Sequence, residues 1–241
     1  MTDISFLKES LNEFNINCTD EMTERFVRFH SLICEWNSFM NLTAITEWND
    51  VVTKHFADSL SLCRCVDDMT DMSYSLLDIG TGAGFPGIPL KIAFPKLDIT
   101  LMDSLNKRVS FLNEVIKDLG LTGIRAIHSR AESLGHNSDY REKFDIVVSR
   151  AVANMTVLSE LCLPYVRTGG RFICYKTDNC DDEVREAAKA IDILGGKMDS
   201  SIEFRLPLSD ISRRLYVINK VKETPQKYPR KEGTPSRSPL C

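Results

Sequence analysis

No apolar run in this 241-residue sequence approaches the roughly eighteen residues that a membrane-crossing helix needs. Its polar opening, MTDISFLKES, also lacks the basic and then apolar pattern of a secretory leader. The expectation is a soluble, untargeted, cytoplasmic protein with no membrane partner. Eight cysteines and four histidines are present, yet CRC at 63–65 is the only close cysteine pair, and no histidine or second pair stands at metal-ligand spacing. No metal is expected, and the thiols read as reduced and structural in a chain too long to need disulfide staples. An excess of positive charge is missing as well. With 30 Lys and Arg against 34 Asp and Glu, the net charge is −4, which excludes a surface coated for nucleic acid. The charge is nevertheless unevenly placed. From Lys220 to Cys241 six basic residues stand against two glutamates, a local +4, so the preceding residues carry −8. An acidic body with a basic tail suits contact with a polyanion over a small area.

What is present divides the chain into three parts. Over residues 1–70 apolar residues recur at helical spacing: Ile4, Leu7, Leu11 and Phe14, then Met22 through Met40, then Val52, Phe56, Leu60 and Cys63. Three helices ahead of the first strand predict a helical cap. Over 71–222 the pattern alternates between strand and helix. The apolar runs YSLLDIG, DITLMD, IRAIH, FDIVVSR and RFICYK are separated by helical stretches at 86–94, 105–119, 155–166 and 181–194. Such alternation predicts an α/β fold, a mostly parallel sheet with helices on both faces. Two further strands at 200–206 and 214–222 form a hairpin at one sheet edge, making seven strands. Residues 223–241 are basic, Pro-rich and too punctuated for a regular element. This tail is expected to pack on the domain or flank it.

The stretch DIGTGAGFPGIPL at 78–90 follows a strand and opens a helix, the context that gives a glycine-rich loop its meaning. GAGFPG satisfies the dinucleotide fingerprint, whereas in another frame the loop reads D-x-G-x-G-x-G, as for S-adenosylmethionine (AdoMet). Gly80, Gly82 and Gly84 permit a tight turn and close backbone approach. Asp103, at the end of the second strand, can accept hydrogen bonds from two ribose hydroxyls, which both cofactors possess. Three observations favour AdoMet. Asp78 offers a carboxylate to a cationic amino-acid end, where a pyrophosphate would be opposed. Pro86 and Pro89 remove amide donors that a pyrophosphate would use. No hydride-transfer residue follows the loop. A dinucleotide-dependent oxidoreductase remains the alternative.

Cations mark nearly every strand end, which is the ligand side of an open α/β sheet. Lys107 and Arg108 follow the second strand, Arg130 the third, Arg150 the fourth and Lys176 the fifth, and Arg213 precedes the last. Each alone reads as solvated surface charge. Together, on one rim of an acidic domain, they point to a phosphate-rich substrate. The fourth strand ends VVSRAV rather than in the Asp/Asn-Pro-Pro-aromatic motif used on exocyclic amino groups. No cysteine follows it to attack a pyrimidine, and Cys174, inside the fifth strand, reads as core. A ready nucleophile such as guanine N7 fits these absences, with no residue needed as acid or base.

These segments resemble the small-subunit ribosomal RNA guanine-N7 methyltransferase family, also called glucose-inhibited division protein B. The likeness runs from about residue 41 to 240 through NLTAI, HFADSL, LLDIGTGAGFPGIPL, DSLNKRVSFL, RAESL, VVSRAVA and TPQKYPRKEGTPSRSPL. It implies a Rossmann-like class I AdoMet-dependent methyltransferase fold and transfer to 16S ribosomal RNA, free or in the small subunit. It implies AdoMet contacts at Gly80, Phe85, Ala131, Glu132 and Arg150. Lys107, Arg108, Arg130, Lys176 and Arg213 become the basic rim for RNA. His55 and Asp58, in HFADSL, read as braces between cap and sheet, with substrate contact as the alternative. Ser129, Thr177 and Arg214 depart from the family's usual Gly, Gly and His, which leaves the role of Lys176 open. The chain is read as a monomer. An AdoMet-bound RNA-binding or assembly factor without turnover is the competing reading.

Overall fold

The computed structural model describes residues 3–150, 153–177 and 180–240. Ala151 and Val152 of VVSRAVA, and Cys241 of the tail, lie outside the described residues. The strands are β1 (Ser75–Ile79), β2 (Asp98–Asp103), β3 (Ile124–His128), β4 (Phe144–Ser149), β5 (Val166–Lys176), β6 (Gly196–Arg205) and β7 (Ser212–Lys220). They form one sheet in the order β3-β2-β1-β4-β5-β7-β6. The first five are parallel, and β7 runs antiparallel between β5 and β6. This is the seven-stranded, class I methyltransferase arrangement expected, and it reverses its winding between β1 and β4. Ligands of open α/β sheets bind at such a reversal, outside the strand ends.

Successive strand residues point to opposite faces, and each face has its own core. Leu76, Leu101, Val148 and Ile173 join the cap-side cluster. Leu77, Met102, Val147 and Phe172 join the other. The cap-side face carries α1 (Ile4–Asn12), α2 (Asp20–Met40), α5 (Gly87–Ala93) and α6 (Asn106–Asp118). The opposite face carries α8 (Met155–Cys162) and α9 (Asp181–Ile193). Side chains of Asp3 and Thr19 cap α1 and α2, each accepting from backbone N–H groups of the first turn.

The third cap helix departs from the simple helix expected over 52–63. It begins as α3 (Trp48–Val51), widens into a π-helical turn over Val52–Ala57, returns as α4 (Asp58–Leu60) and ends in a 3-10 turn over Ser61–Arg64. From Val51 to Leu62 every residue except Lys54 is buried. A helix buried on all sides runs inside a core rather than over it, and this one lies between the outer cap helices and the sheet. Two aromatic contacts anchor it: Phe56 meets Phe26 at 4.8 Å and Phe29 at 5.8 Å between ring centroids.

Other boundaries moved for local reasons. The expected helix over 155–166 stops at Cys162, and Pro164 sits in a 3-10 turn over Leu163–Tyr165 because it has no N–H to continue an α-helix. Strand β5 then starts at Val166, ahead of RFICYK. The hairpin strands begin earlier than expected, so Arg213 lies inside β7, opposite Phe204, rather than before the last strand. The tail is not wholly irregular: it carries α10 (Thr234–Arg237).

Candidate active site

The glycine loop is fixed at both ends by carboxylates. Gly80, Gly82 and Gly84 all take positive φ, 73°, 61° and 93°, a region that only glycine enters without strain. Gly82 N donates to Asp103 Oδ2 at 3.0 Å, tying the loop to the end of β2. Asp103 Oδ1 accepts from Leu105 N at 2.9 Å, so the same side chain also orders the start of α6. Asp78 is fully buried behind the loop. Its Oδ2 accepts from Thr81 Oγ1 at 2.7 Å and from Gly87 N at 2.9 Å, while Oδ1 has no hydrogen-bond partner among the described residues. Burial pushes its pKa up to about 6. A Cβ built on Gly82 would meet nothing within 4 Å, so the loop's free side faces open space.

Beside the loop is a cleft of about 230 Å³ lined by Ile79, Gly80, Met102, Asp103, Ser104, Ser129, Arg130, Ala131, Glu132, Leu161 and Ser236. Gly80, Asp103, Ala131 and Glu132, all expected at the cofactor, therefore meet in one place. Its wall includes α7 (Ala131–Leu134), whose N-cap is Arg130. The polar character fits AdoMet better than a dinucleotide. Asp103 and Glu132 line the cleft and Asp78 holds a spare acceptor behind it, an environment for a sulfonium and an ammonium. A pyrophosphate would meet these carboxylates as like charge.

Phe85 and Arg150 do not line this cleft. They stand on the loop's other side, against the cap. Phe85 is buried and stacks on His55 at 4.4 Å between centroids, and the Arg150 guanidinium lies 5.1 Å from the Phe85 ring. Arg150 Nη1 donates to Asp58 Oδ2 at 2.9 Å, and Arg213 Nε donates to Asp58 Oδ1 at 3.1 Å. One buried carboxylate on the cap thus holds two arginines, one at the end of β4 and one on β7. His55 Nε2 lies 3.0 Å from Thr43 Oγ1. Burial first, and the Arg150 charge second, push its pKa down to about 3, so the ring is neutral at pH 7. Lys176 Nζ donates to Glu183 Oε1 at 2.8 Å and to the Ala153 carbonyl at 3.0 Å. Asp58, Arg150, Lys176 and Arg213, with Tyr175, Thr177 and Cys180, surround a second cavity of about 210 Å³.

The expected single basic rim is thus two groups. Arg150, Lys176 and Arg213 gather at this second cavity. On the cofactor side Lys107 is exposed in the first turn of α6, Arg108 pairs with Asp103 at 3.4 Å, and Arg130 pairs with Glu232 of the tail at 2.7 Å. Sequence patterning does not single out Ser104, Ser129, Leu161 or Ser236 as cleft residues, nor Arg141, a buried side chain that donates to the Thr224 and Tyr228 carbonyls, as an anchor of the tail. The one available signal was the tail's own motif, TPQKYPRKEGTPSRSPL, which is too particular for a loose basic extension.

A family model described as rRNA small subunit methyltransferase G matches residues 22–209. The chain belongs to that family. Relatives within the rRNA small subunit methyltransferase G family share nearly the whole length. One from Lachnoclostridium phytofermentans is 53% identical over 240 residues, covering 100% of this chain and 98% of its own. Another, from Desulforamulus reducens, is 50% identical over 242 residues and covers both chains fully. Among solved structures, TrmN from Thermus thermophilus superposes with a TM-score of 0.54 at 16% identity, over 70% of this chain and 53% of its own, a likeness of fold. Among the described residues no helix is long and apolar enough to cross a membrane, and no three His, Cys, Asp or Glu side chains converge as metal ligands.

Proposed function

We propose that this chain transfers the methyl group of AdoMet to N7 of a specific guanine in 16S ribosomal RNA, free or within the small subunit, and that it works as a cytoplasmic monomer. Family membership supports the reaction and the substrate. The observation in this molecule that carries it is the pairing of a carboxylate-lined cleft with an arginine- and lysine-lined cavity on either side of the glycine loop. A cationic cofactor and a polyanionic substrate need opposite fields, and the two sides of the loop supply them.

Bound AdoMet supplies an electrophilic methyl on a sulfonium. The chain's own residues hold and align. Asp78 Oδ1, the buried acceptor left open behind the loop, is the partner for the cofactor's ammonium. Asp103 serves the ribose hydroxyls, and Gly80, Ala131 and Glu132 form the wall about the adenosine. Phe85, packed on His55, fixes the loop against the cap, and Arg150 beside it closes the side facing the second cavity. Arg150 therefore reaches both the loop and the substrate side. Lys176 and Arg213 at that cavity, with Lys107, Arg108 and Arg130 along the cofactor side, meet RNA phosphates and the guanine O6. The N7 lone pair is unprotonated at neutral pH, so no side chain has to remove a proton. Rate comes from alignment of N7, methyl and sulfur. A cation against N7 would oppose the charge that forms there, which confines the basic residues to phosphate and O6. In this reading the cap (1–70) braces the Rossmann-like domain (71–222) through Asp58, and the tail (223–241) lies along it.

Radiolabelled methyl transfer by the purified chain to small subunits and to naked 16S RNA, followed by nuclease mapping, tests the proposal. Label at a guanine N7 is expected. Label on a protein or a small molecule, or no transfer, would refute it, and binding of NADH in preference to AdoMet would refute the cofactor.

A further inference from the structure

The tail's basic composition points to RNA, but the segment is also docked on the protein itself. Ahead of the tail, Lys220 at the end of β7 is buried and donates to Glu142 Oε1 at 2.8 Å and Lys222 pairs with Asp192 at 2.9 Å, and within it Arg230 grips Glu160 with two nitrogens. Glu160 is 1% exposed, which makes that pair an anchor rather than a surface contact. Arg141, also buried, donates to the carbonyls of Gly135, Thr224 and Tyr228 at 2.7–2.8 Å. Tyr228 and Pro235 are buried, and a Cβ on Gly135 would come within 2.7 Å of Pro229. This is a docked segment with shape complementarity to the body.

Where it docks matters more than how. After Arg230 the chain reaches the cofactor cleft. Gly233 N donates to Glu132 Oε1 at 3.0 Å, and Glu232 pairs with Arg130 at 2.7 Å. Both partners, Arg130 and Glu132, line the cleft. Gly233 takes φ 72°, and the turn it permits brings in α10 so that Ser236 lines the cleft. Among the described residues Ser236 is the tail's one residue in that lining.

We infer that segment 232–237 is a wall of the AdoMet site, that Ser236 is a cofactor-contacting residue, and that docking of the tail and binding of AdoMet reinforce each other. This rests on the AdoMet reading above. It also reassigns Arg130 from RNA contact alone to a latch between β3's following loop and the tail. AdoMet bound against α7 and α10 contacts only the docked tail, so it favours the docked state by its differential affinity for it.

Isothermal titration of AdoMet and of S-adenosylhomocysteine into the native chain and the Ser236→Trp variant tests this. An indole at 236 intrudes into the cleft, so affinity is expected to fall at least about tenfold with the melting temperature and circular dichroism unchanged. Native binding with Ser236→Trp within about twofold of it overturns this inference while leaving the AdoMet reading intact. Failure of the native chain to bind AdoMet overturns both. Should the variant not fold, hydrogen exchange of the native chain decides instead. Slower exchange at 232–237 on adding S-adenosylhomocysteine is expected, and unchanged exchange there overturns the coupling.

Discussion

The two sides of the glycine loop are built from opposite charges arranged in opposite ways. On the β2–β3 side carboxylates do the ordering: Asp103 ties Gly82 and the start of α6, Asp78 ties Thr81 and Gly87, and Glu132 ties the tail. On the β4–β7 side a single carboxylate, Asp58, holds two arginines, and Lys176 leans on Glu183. The first side keeps an acceptor open behind the loop. The second gathers more positive than negative charge around its cavity. A shared loop thus separates a field suited to a cation from one suited to phosphates, and Phe85 with His55 is the partition between them.

The sharpest way to break the partition is to remove the carboxylate beneath it. In Asp58→Ala, two arginines with under a fifth of their side chains exposed lose their shared partner. Uncompensated, partly buried charge makes this costly, about 2–4 kcal/mol. Urea unfolding should show that loss, and the cap should loosen from the sheet first. An unchanged midpoint would mean that the cap docks without the cluster.

Asp78→Asn separates holding the loop from holding a charge. The amide oxygen can still accept from Thr81 and Gly87, but the variant offers the cofactor's ammonium no carboxylate. AdoMet affinity is expected to fall by about 10- to 100-fold, the equivalent of about 1.4–3 kcal/mol, by titration. The unliganded fold at neutral pH should be no less stable, because the native side chain carries a buried charge there. Binding at native affinity would remove Asp78 from the cofactor site.

Lys176→Ala is expected to act only across the partition. Rate of RNA methylation and RNA affinity should drop about tenfold, and the slope of log affinity against log salt should lessen by about one, with AdoMet affinity unaltered. Loss of AdoMet affinity would merge the two sides into one site.

Much of this molecule is legible in its sequence. The α/β alternation, the ligand side at the strand ends, and the loop's preference for AdoMet follow from period, glycine position, Asp78 and the two prolines. What was not legible follows from side-chain reach. Periodicity places a cation at a strand end but cannot say which carboxylate it will meet. Arg150 turned to Asp58, Arg130 to Glu232 and Lys176 to Glu183, so a rim drawn from sequence became two groups. The tail is subject to the same limit. Arg230 meets Glu160, as Lys220 and Lys222 ahead of the tail meet Glu142 and Asp192, and composition alone assigns no such partner. The π turn over Val52–Ala57 leaves no mark in the hydrophobic pattern, since nearly all its residues are buried.

The smallest expected effect tests the partition itself, through pH. His55 has its pKa lowered from 6.5 to about 3, by burial and then by Arg150. Its stabilising contribution is complete above the unfolded value of 6.5 and is lost as pH falls towards 3. Asp78 runs the other way. Its pKa is raised from 3.8 to about 6 by burial, so its contribution is present below 3.8 and lost as pH rises through 6. Between those values acidification weakens the molecule at His55 and relieves it at Asp78, and the two partly cancel. His55→Gln removes the titration while an amide can still meet the Thr43 hydroxyl. Its stability should therefore fall by about 1–2 kcal/mol less than that of the native chain between neutrality and about pH 5, measured as urea midpoints across the range. Asp78→Asn should fall more steeply than the native chain over the same window, because the relief is gone. Identical slopes in all three proteins would show that neither side chain titrates where its surroundings place it, and that the ring on Phe85 is not the neutral divider between cofactor and substrate.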